Sequence, residues 1–272
     1  MKRRFINAIL VAMILVFGVV TFSSCSKKQN SSESMDDIKK KGYITIGLDD
    51  TFVPMGYKDK NGQIVGFDVD LAKEVCKRIG VKAKFQPIDW SMKETELNTK
   101  NIDLIWNGYT ITPERQEKVG FTNPYLANRQ VIITLSSSAI NSKAELKGKK
   151  VAVQNGSSSL DAVNKEPALV ESFNGGEPVL FDTNNEALMD LEAGRVDAVV
   201  ADEILARYYI NQRGTEKYKV LNEDFGKEEY GIGARKQSAE LIKAINTALD
   251  EMKKDGTSAS ISEKWFGENI VK

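Results

Sequence analysis

Short apolar stretches alternating with amphipathic ones, twice over, predict an α/β protein of two similar lobes joined by a two-segment hinge, with a cleft between them. In the first lobe, residues 43–47, 84–87 and 102–106 are apolar runs of strand length, separated by helical periodicity at 68–79 and 91–99. The alternation restarts at 150, with strands at 150–153, 178–181 and 198–201 and helices at 157–164, 183–193 and 202–211. A strand at 228–234 and a long helix at 238–255 then lead back to the first lobe, so the chain crosses between lobes twice, near 128–132 and 221–227.

The amino terminus stands apart. Lys2, Arg3 and Arg4 precede a mostly apolar run at 6–20 and the small residues Ser23 and Ser24, the pattern of an export signal over 1–24. At about fifteen residues the run is short for a bilayer span. Cys25 follows directly and resembles the lipobox cysteine of bacterial lipoproteins, which becomes acylated, although Phe22 stands where Leu is usual. The alternative is a secreted protein with a spare thiol. The polar residues that follow read as a flexible tether, ending near 37, whose segment 26–34 reaches up to roughly 30 Å. Beyond it the expected organisation is lobe 1 over 38–130, lobe 2 over 131–223, and a return to lobe 1 over 224–272. Within lobe 1, Lys58-Asp59-Lys60-Asn61-Gly62 reads as a hairpin turn; 128–135, spanning the crossing between lobes, reads as a long apolar strand followed by the polar break Ser136-Ser137-Ser138.

Composition narrows the chemistry. The chain has 38 Lys+Arg against 38 Asp+Glu; without Lys2, Arg3 and Arg4 the balance is 35 against 38, a net charge near −3 that gives no basic footprint for nucleic acid. Histidine is absent, which excludes a Ser-His-Asp triad, a Cys-His pair and the usual zinc sites. Cys76, the one cysteine besides Cys25, falls in an amphipathic helix and reads as a buried, inert thiol. No cofactor or metal is expected, and the protein is expected to be a monomer.

The most informative segment is Asn107-Gly108-Tyr109-Thr110-Ile111-Thr112-Pro113-Glu114-Arg115. It follows a buried strand and starts a helix with Thr112 as N-cap and Pro113 at the first helical position. The third position, where a self-sufficient capping box would carry Glu or Gln, is Arg115, so the free N–H groups are left for an outside anion. An ordinary strand-turn-helix with an exposed arginine fits these nine residues equally well. Other strand ends are also suggestive: Asp49 and Phe52 after the first strand, Gln154-Asn155-Gly156-Ser157-Ser158 after the first strand of lobe 2, and Asp202 at a helix start. Taken singly, a cap or a core position is the commoner use of each, Trp90 included. Jointly, one arginine, two donor-rich turns and one acid around a cleft suit a zwitterion with a carboxylate and an ammonium.

Gly66-Phe67-Asp68-Val69-Asp70-Leu71-Ala72-Lys73-Glu74-Val75 resembles the signature of the family 3 bacterial solute-binding proteins, the polar amino acid receptors of ABC importers. Residues 107–115 resemble their ligand-binding turn, 154–158 their second-lobe loop, and Lys264-Trp265-Phe266-Gly267 their usual end; the similarity runs from Ile38 to Gly267. It implies a periplasmic-binding-protein-like fold that takes up a free amino acid and hands it to ABC permease subunits. By this resemblance Arg115 binds the ligand α-carboxylate with the N–H groups of Thr110 and Ser158. The α-ammonium meets Asp202, the Gly108 carbonyl and the Thr110 hydroxyl. Phe52 and Trp90 wall the side chain, Asp49 and Gln154 meet its far end, and Asn107 and Ser157 complete the site. Asp68 caps its helix. Ser157-Ser158 stands where Thr-Thr is commoner, and Tyr109 where Met or a small residue is frequent. Glutamine, a basic amino acid and cystine are the expected ligands. A dehydratase-type enzyme and a sensing lipoprotein are the alternatives, the chain's end soon after Gly267 favouring import.

Overall fold

The computed structural model describes residues 35–272. The export signal, Cys25 and the segment 26–34 lie outside the described residues. Residues 35–37, expected to close the tether, are instead the first turn of helix α1 (Met35–Lys41). Asp36 and Asp37 in that turn and three lysines in the last one suit the helix dipole, and Ile38 is buried.

Strand β1 (Tyr43–Leu48) is followed by a small antiparallel sheet of β2 (Thr51–Phe52), β3 (Gly56–Lys58) and β4 (Ile64–Val65). The expected hairpin turn joins β3 to β4, with the Asp59 carboxylate accepting from the N–H groups of Asn61 and Gln63. Helix α2 (Phe67–Ile79) buries Phe67, Leu71 and Val75 at four-residue spacing and ends on Gly80 in the left-handed region. Its N-cap is Gly66, at φ 146°, where a Cβ would lie 2.3 Å from the Met55 carbonyl oxygen. Asp68 therefore does not cap the helix as expected; its carboxylate turns into the lobe and is fully buried.

Strand β5 (Lys82–Pro87) leads to the region read as one helix over 91–99. It splits into a 3₁₀ turn (Trp90–Met92) and α3 (Lys93–Asn98), because the Asp89 carboxylate accepts from the Ser91 N–H and hydroxyl and starts a tighter coil. Then come β6 (Leu104–Ile105), α4 (Pro113–Gln116) and β7 (Gly120–Phe121).

Strand β8 (Leu126–Leu135) leads into the second sheet. It is followed by β9 (Val151–Gln154), α5 (Ser158–Asn164), α6 (Pro167–Val170), β10 (Val179–Phe181), α7 (Asn184–Glu192), β11 (Ala198–Asp202), α8 (Glu203–Arg213) and β12 (Tyr218–Tyr230). The segment 228–234, read as one strand, is divided: β12 pairs with β8 as far as Tyr230, and only β13 (Gly233–Ala234) joins the first sheet. Helices α9 (Ala239–Lys254) and α10 (Thr257–Phe266) complete the chain; α9 and α10 pack on α2, and Asp70 of α2 accepts from Lys264 Nζ at 2.6 Å and Trp265 Nε1 at 2.9 Å.

The sheet orders are β5-β1-β6-β13-β7 and β10-β9-β11-β8-β12. In each, a parallel trio stands in the order second-first-third. The chain leaves the first strand of a trio to one side and returns on the other, which opens a crevice at the carboxyl ends of the first and third strands. Both faces of the second sheet are covered: Val151, Val153, Ala198 and Val200 point to one hydrophobic cluster, Ala152, Val199 and Ala201 to the other. Between the lobes, β8 and β12 run antiparallel as a ribbon whose register shifts at 220–224 and 224–227. Among the described residues no helix is long and apolar enough to cross a membrane.

Candidate functional site

Strand ends of both trios meet at one cavity. From the first lobe come Asp49, Phe52, Trp90, Asn107, Gly108 and Arg115; from the second come Gln154, Ser157, Ser158 and Asp202. Thr110, the remaining residue expected there, does not line the cavity but stands beside it, its hydroxyl 3.0 Å from that of Ser158.

The 107–115 turn is built as its residues predict. Thr112 Oγ1 accepts from the Arg115 N–H at 3.2 Å, with Pro113 at the first helical position. Arg115 folds back over the turn: Nη1 donates to the Thr110 carbonyl at 3.0 Å, Nη2 to the Gly156 carbonyl at 3.4 Å, and the guanidinium lies 4.7 Å from the Tyr109 ring centroid. It is 5% exposed, and its one ion-pair partner among the described residues, Asp161, is half exposed and 3.9 Å away. A buried guanidinium held by carbonyls and a ring, with no closer counter-ion among those residues, suits a carboxylate. The Thr110 N–H and the Ser158 N–H at the start of α5 have no acceptor among the described residues and add donors of the same kind.

The same cavity has an acidic pole. Asp202 Oδ1 accepts from Asn128 Nδ2 at 2.6 Å, Gln130 Nε2 at 3.0 Å and the Tyr230 hydroxyl at 2.5 Å. Burial, and then the charge of Glu228, hold the Asp202 carboxyl well above the usual carboxylate range. A third polar group joins the lobes. Gln154 Nε2 donates to Asp49 Oδ2 at 2.8 Å, while Asp49 Oδ1 accepts from the Thr51 N–H and hydroxyl; burial raises this carboxyl too. Ser157 serves chiefly as the N-cap of α5, accepting from the Leu160 N–H at 3.1 Å.

The lobes are closed on each other. Besides the Asp49–Gln154 and Thr110–Ser158 contacts, Lys93 Nζ reaches the Gly156 carbonyl at 2.7 Å. Within the cavity the centre of a water molecule has about 10 Å³ in which to move. That is room for about one water, so a larger guest enters only when the lobes part or the lining side chains shift.

Sequence reasoning missed several residues of this site. Asn128 and Gln130 left a signal, two polar residues two apart on a largely apolar strand and so on one sheet face; Glu228 and Tyr230 are also two apart, but on a largely polar strand where the spacing does not stand out. Lys93 left none, since a lysine early in a short helix is ordinarily solvated; here it is 3% exposed and burial lowers its ammonium to about 8. Asp68 has a different task from the expected helix cap. Its Oδ2 accepts from the Gly108 N–H at 2.7 Å and its two oxygens accept from the Tyr125 hydroxyl at 2.8 and 2.9 Å, so it holds the 107–115 turn in place.

Burial pushes the Asp68 carboxyl up to about 7. Between about pH 4 and 7 the folded protein keeps a proton there that the unfolded chain has lost, so stability falls as pH rises through this window. Asp68→Asn is expected to shrink that fall, as read from urea midpoints at pH 4.5 and 7.5; an unchanged difference would assign it to other groups.

Comparison with known proteins settles the lineage. The model of the bacterial extracellular solute-binding proteins, family 3, matches residues 44–268. The chain belongs to that family. Among its relatives are the L-cystine-binding protein TcyJ of Escherichia coli, 32% identical over 96% of this chain and 97% of that one. The histidine-binding periplasmic protein of Salmonella typhimurium is 35% identical over 82% of this chain and 87% of its own length. Among solved structures, an ABC uptake transporter substrate-binding protein of Streptococcus pneumoniae with bound histidine superposes with a TM-score of 0.87 at 40% identity, covering 89% of this chain and 99% of that one. As a family 3 solute-binding protein the chain is extracytoplasmic, and its two-lobe fold is the fold of these relatives.

Proposed function

We propose that this family 3 protein captures one free polar amino acid between its lobes and delivers it to ABC permease subunits. The observation that carries the reading is the pairing of Arg115, on the first lobe, with Asp202, on the second, across a single cavity. A ligand with both a carboxylate and an ammonium ties the lobes together and biases the hinge toward closure; a ligand lacking either end leaves a buried charge unpaired. Closure then turns on the β8–β12 ribbon, with lobe 1 over 38–130 and 224–272 and lobe 2 over 131–223.

In the bound state Arg115 receives the α-carboxylate with the Thr110 and Ser158 N–H groups, and Asp202 receives the ammonium with the Gly108 carbonyl. Phe52 and Trp90 flank the side chain. Asp49 and Gln154, hydrogen-bonded to each other, favour a side chain that donates hydrogen bonds at its far end, as glutamine and arginine do. The cystine- and histidine-binding relatives add those two amino acids to the set worth testing. The chain acts as a receptor, not an enzyme: its acids are engaged with amide, hydroxyl and backbone groups of the cleft. Acylation of Cys25 would tether it to the membrane surface, and loss of a lipid mass shift in Cys25→Ala is the expected result.

A panel of free amino acids tests the ligand reading on protein unfolded and refolded to strip any carried-over guest. At a hundred times the Kd, binding adds about 2.7 kcal/mol, a rise of roughly 5–10 °C in Tm for a chain of this size. A panel that leaves Tm unmoved throughout would sink the proposal.

A further inference from the structure

The network around Asp202 contains a second carboxylate. Glu228 of β12 stands opposite Asn128 in the β8–β12 register. Its Oε1 accepts from Asn128 Nδ2 at 2.6 Å and Gln130 Nε2 at 2.8 Å, the same two nitrogens that donate to Asp202 Oδ1. Asn128 Nδ2 has two hydrogens, and both are spent on this pair of acids. Two carboxylate oxygens that share both amide donors stand close enough to repel each other, which favours a proton on one of them.

Among the described residues, no cation is placed to balance this pair of acids. From β12, Tyr230 gives its hydroxyl to Asp202; behind it stand Tyr125 and Asp68. Helix α5 presents the neutral Ser158 to Gln130. Arg129 of β8 is committed to Glu203 and Asp224, Arg207 to Glu203, and Lys272 to Glu229. Lys227 is exposed. Arg115, on the cavity wall, donates to the Thr110 and Gly156 carbonyls, and Lys93 to those of Trp90 and Gly156.

We propose that Asp202, crowded by the neighbouring Glu228, carries a proton while the cleft is empty, and that the ammonium of an incoming amino acid takes its place, so that each capture releases one proton to solvent. The proposal rests on the amino-acid reading above. In the exchange the ammonium keeps its three hydrogens, the carboxyl O–H bond breaks, and the proton passes to water. The combined effects of burial and of the Glu228 charge, which raise the Asp202 carboxyl, agree with this. Glu228 is thus a positioning residue: it acts through Asp202, setting how firmly that acid holds its proton. Affinity should rise with pH and then level off, because proton and ammonium compete for one place.

The test is calorimetry with L-glutamine, L-arginine and L-cystine, whose side chains carry no group titrating between about pH 5 and 7. Enthalpies in two buffers of different ionisation enthalpy count the protons released. For the wild-type chain the count should be close to one near pH 6, with Kd weakening up to about tenfold per unit of acidification. Glu228→Gln keeps the acceptor oxygen and removes the like charge. It should still bind, with a count near zero and a nearly flat Kd across this range; its melting curve checks the fold. A buffer-independent enthalpy in the wild-type chain overturns the proposal. So does an unchanged count in Glu228→Gln, which puts the proton on Asp49, Asp68 or Lys93. Failure of the wild-type chain to bind any amino acid in the thermal panel overturns the ligand reading, and this coupling with it.

Discussion

Arg115→Ala is expected to weaken amino acid binding by about 2–5 kcal/mol, roughly thirty-fold to several thousand-fold in Kd. The size follows from burial. The guanidinium is almost wholly removed from water and has no close counter-ion among the described residues, so a ligand carboxylate brought against it gains a strong, bidentate, charge-assisted contact. In the alanine variant the same carboxylate loses its water on closure and receives only backbone N–H groups. Part of the loss comes from the protein itself, since Nη1 steadies the Thr110 carbonyl and the Tyr109 ring packs beneath the cation. Arg115→Lys separates the two contributions: it keeps the charge but loses the fork, and should recover only part of the affinity. Calorimetry that finds the same Kd in Arg115→Ala as in the unaltered chain would remove the carboxylate clamp from consideration.

Asp202→Asn should move two measurements in opposite directions. Binding is expected to weaken by about 2–5 kcal/mol, because the ammonium loses its charged partner. The unliganded protein should gain stability near neutral pH. Burial and Glu228 hold the Asp202 carboxyl above its ordinary value, so the folded state retains a proton that the unfolded chain gives up, and stability declines as pH rises above the usual carboxylate range. Asparagine removes that decline. A purely structural acid would lose stability on substitution and leave binding untouched. The carboxylic acid analogue that lacks the amino group offers a control, since its affinity should fall far less in this variant than that of the amino acid. Lower stability together with unchanged Kd would count against Asp202 as the ammonium partner. A site kept at the expense of stability is common where function needs buried charge.

Much of this site could be read in the sequence because strand-end chemistry is local. Thr112, Pro113 and Arg115 fix their own geometry through one cap, and the turn at 154–158 does the same through Ser157. Every candidate contact but Thr110 lines the cavity, and Thr110 touches Ser158 beside it. What stayed hidden depends on distance along the chain. Asp68 reaches Gly108 across 40 residues, Glu228 reaches Asn128 across 100, and Lys93 reaches Gly156 across 63. Such partners are chosen by sheet order and lobe closure, and no short window reports either. The same cause explains the divided strand at 228–234: its first residues are claimed by β8 and its last by β6 and β7, a competition decided by topology. The split helix at 90–98 differs, being a local effect of Asp89 that periodicity alone cannot register.

Cys76 lies on the inward face of α2, and burial pushes its thiol up to about 12. A thiol that seldom ionises and meets no solvent is slow to alkylate. In a form of the protein lacking Cys25, one added cysteine at the rim of each lobe would therefore take maleimide dyes while the native sulfur stayed silent. The two labels would turn the opening and shutting of the jaws into an optical signal, and the receptor into a reagent for measuring the nutrient it collects.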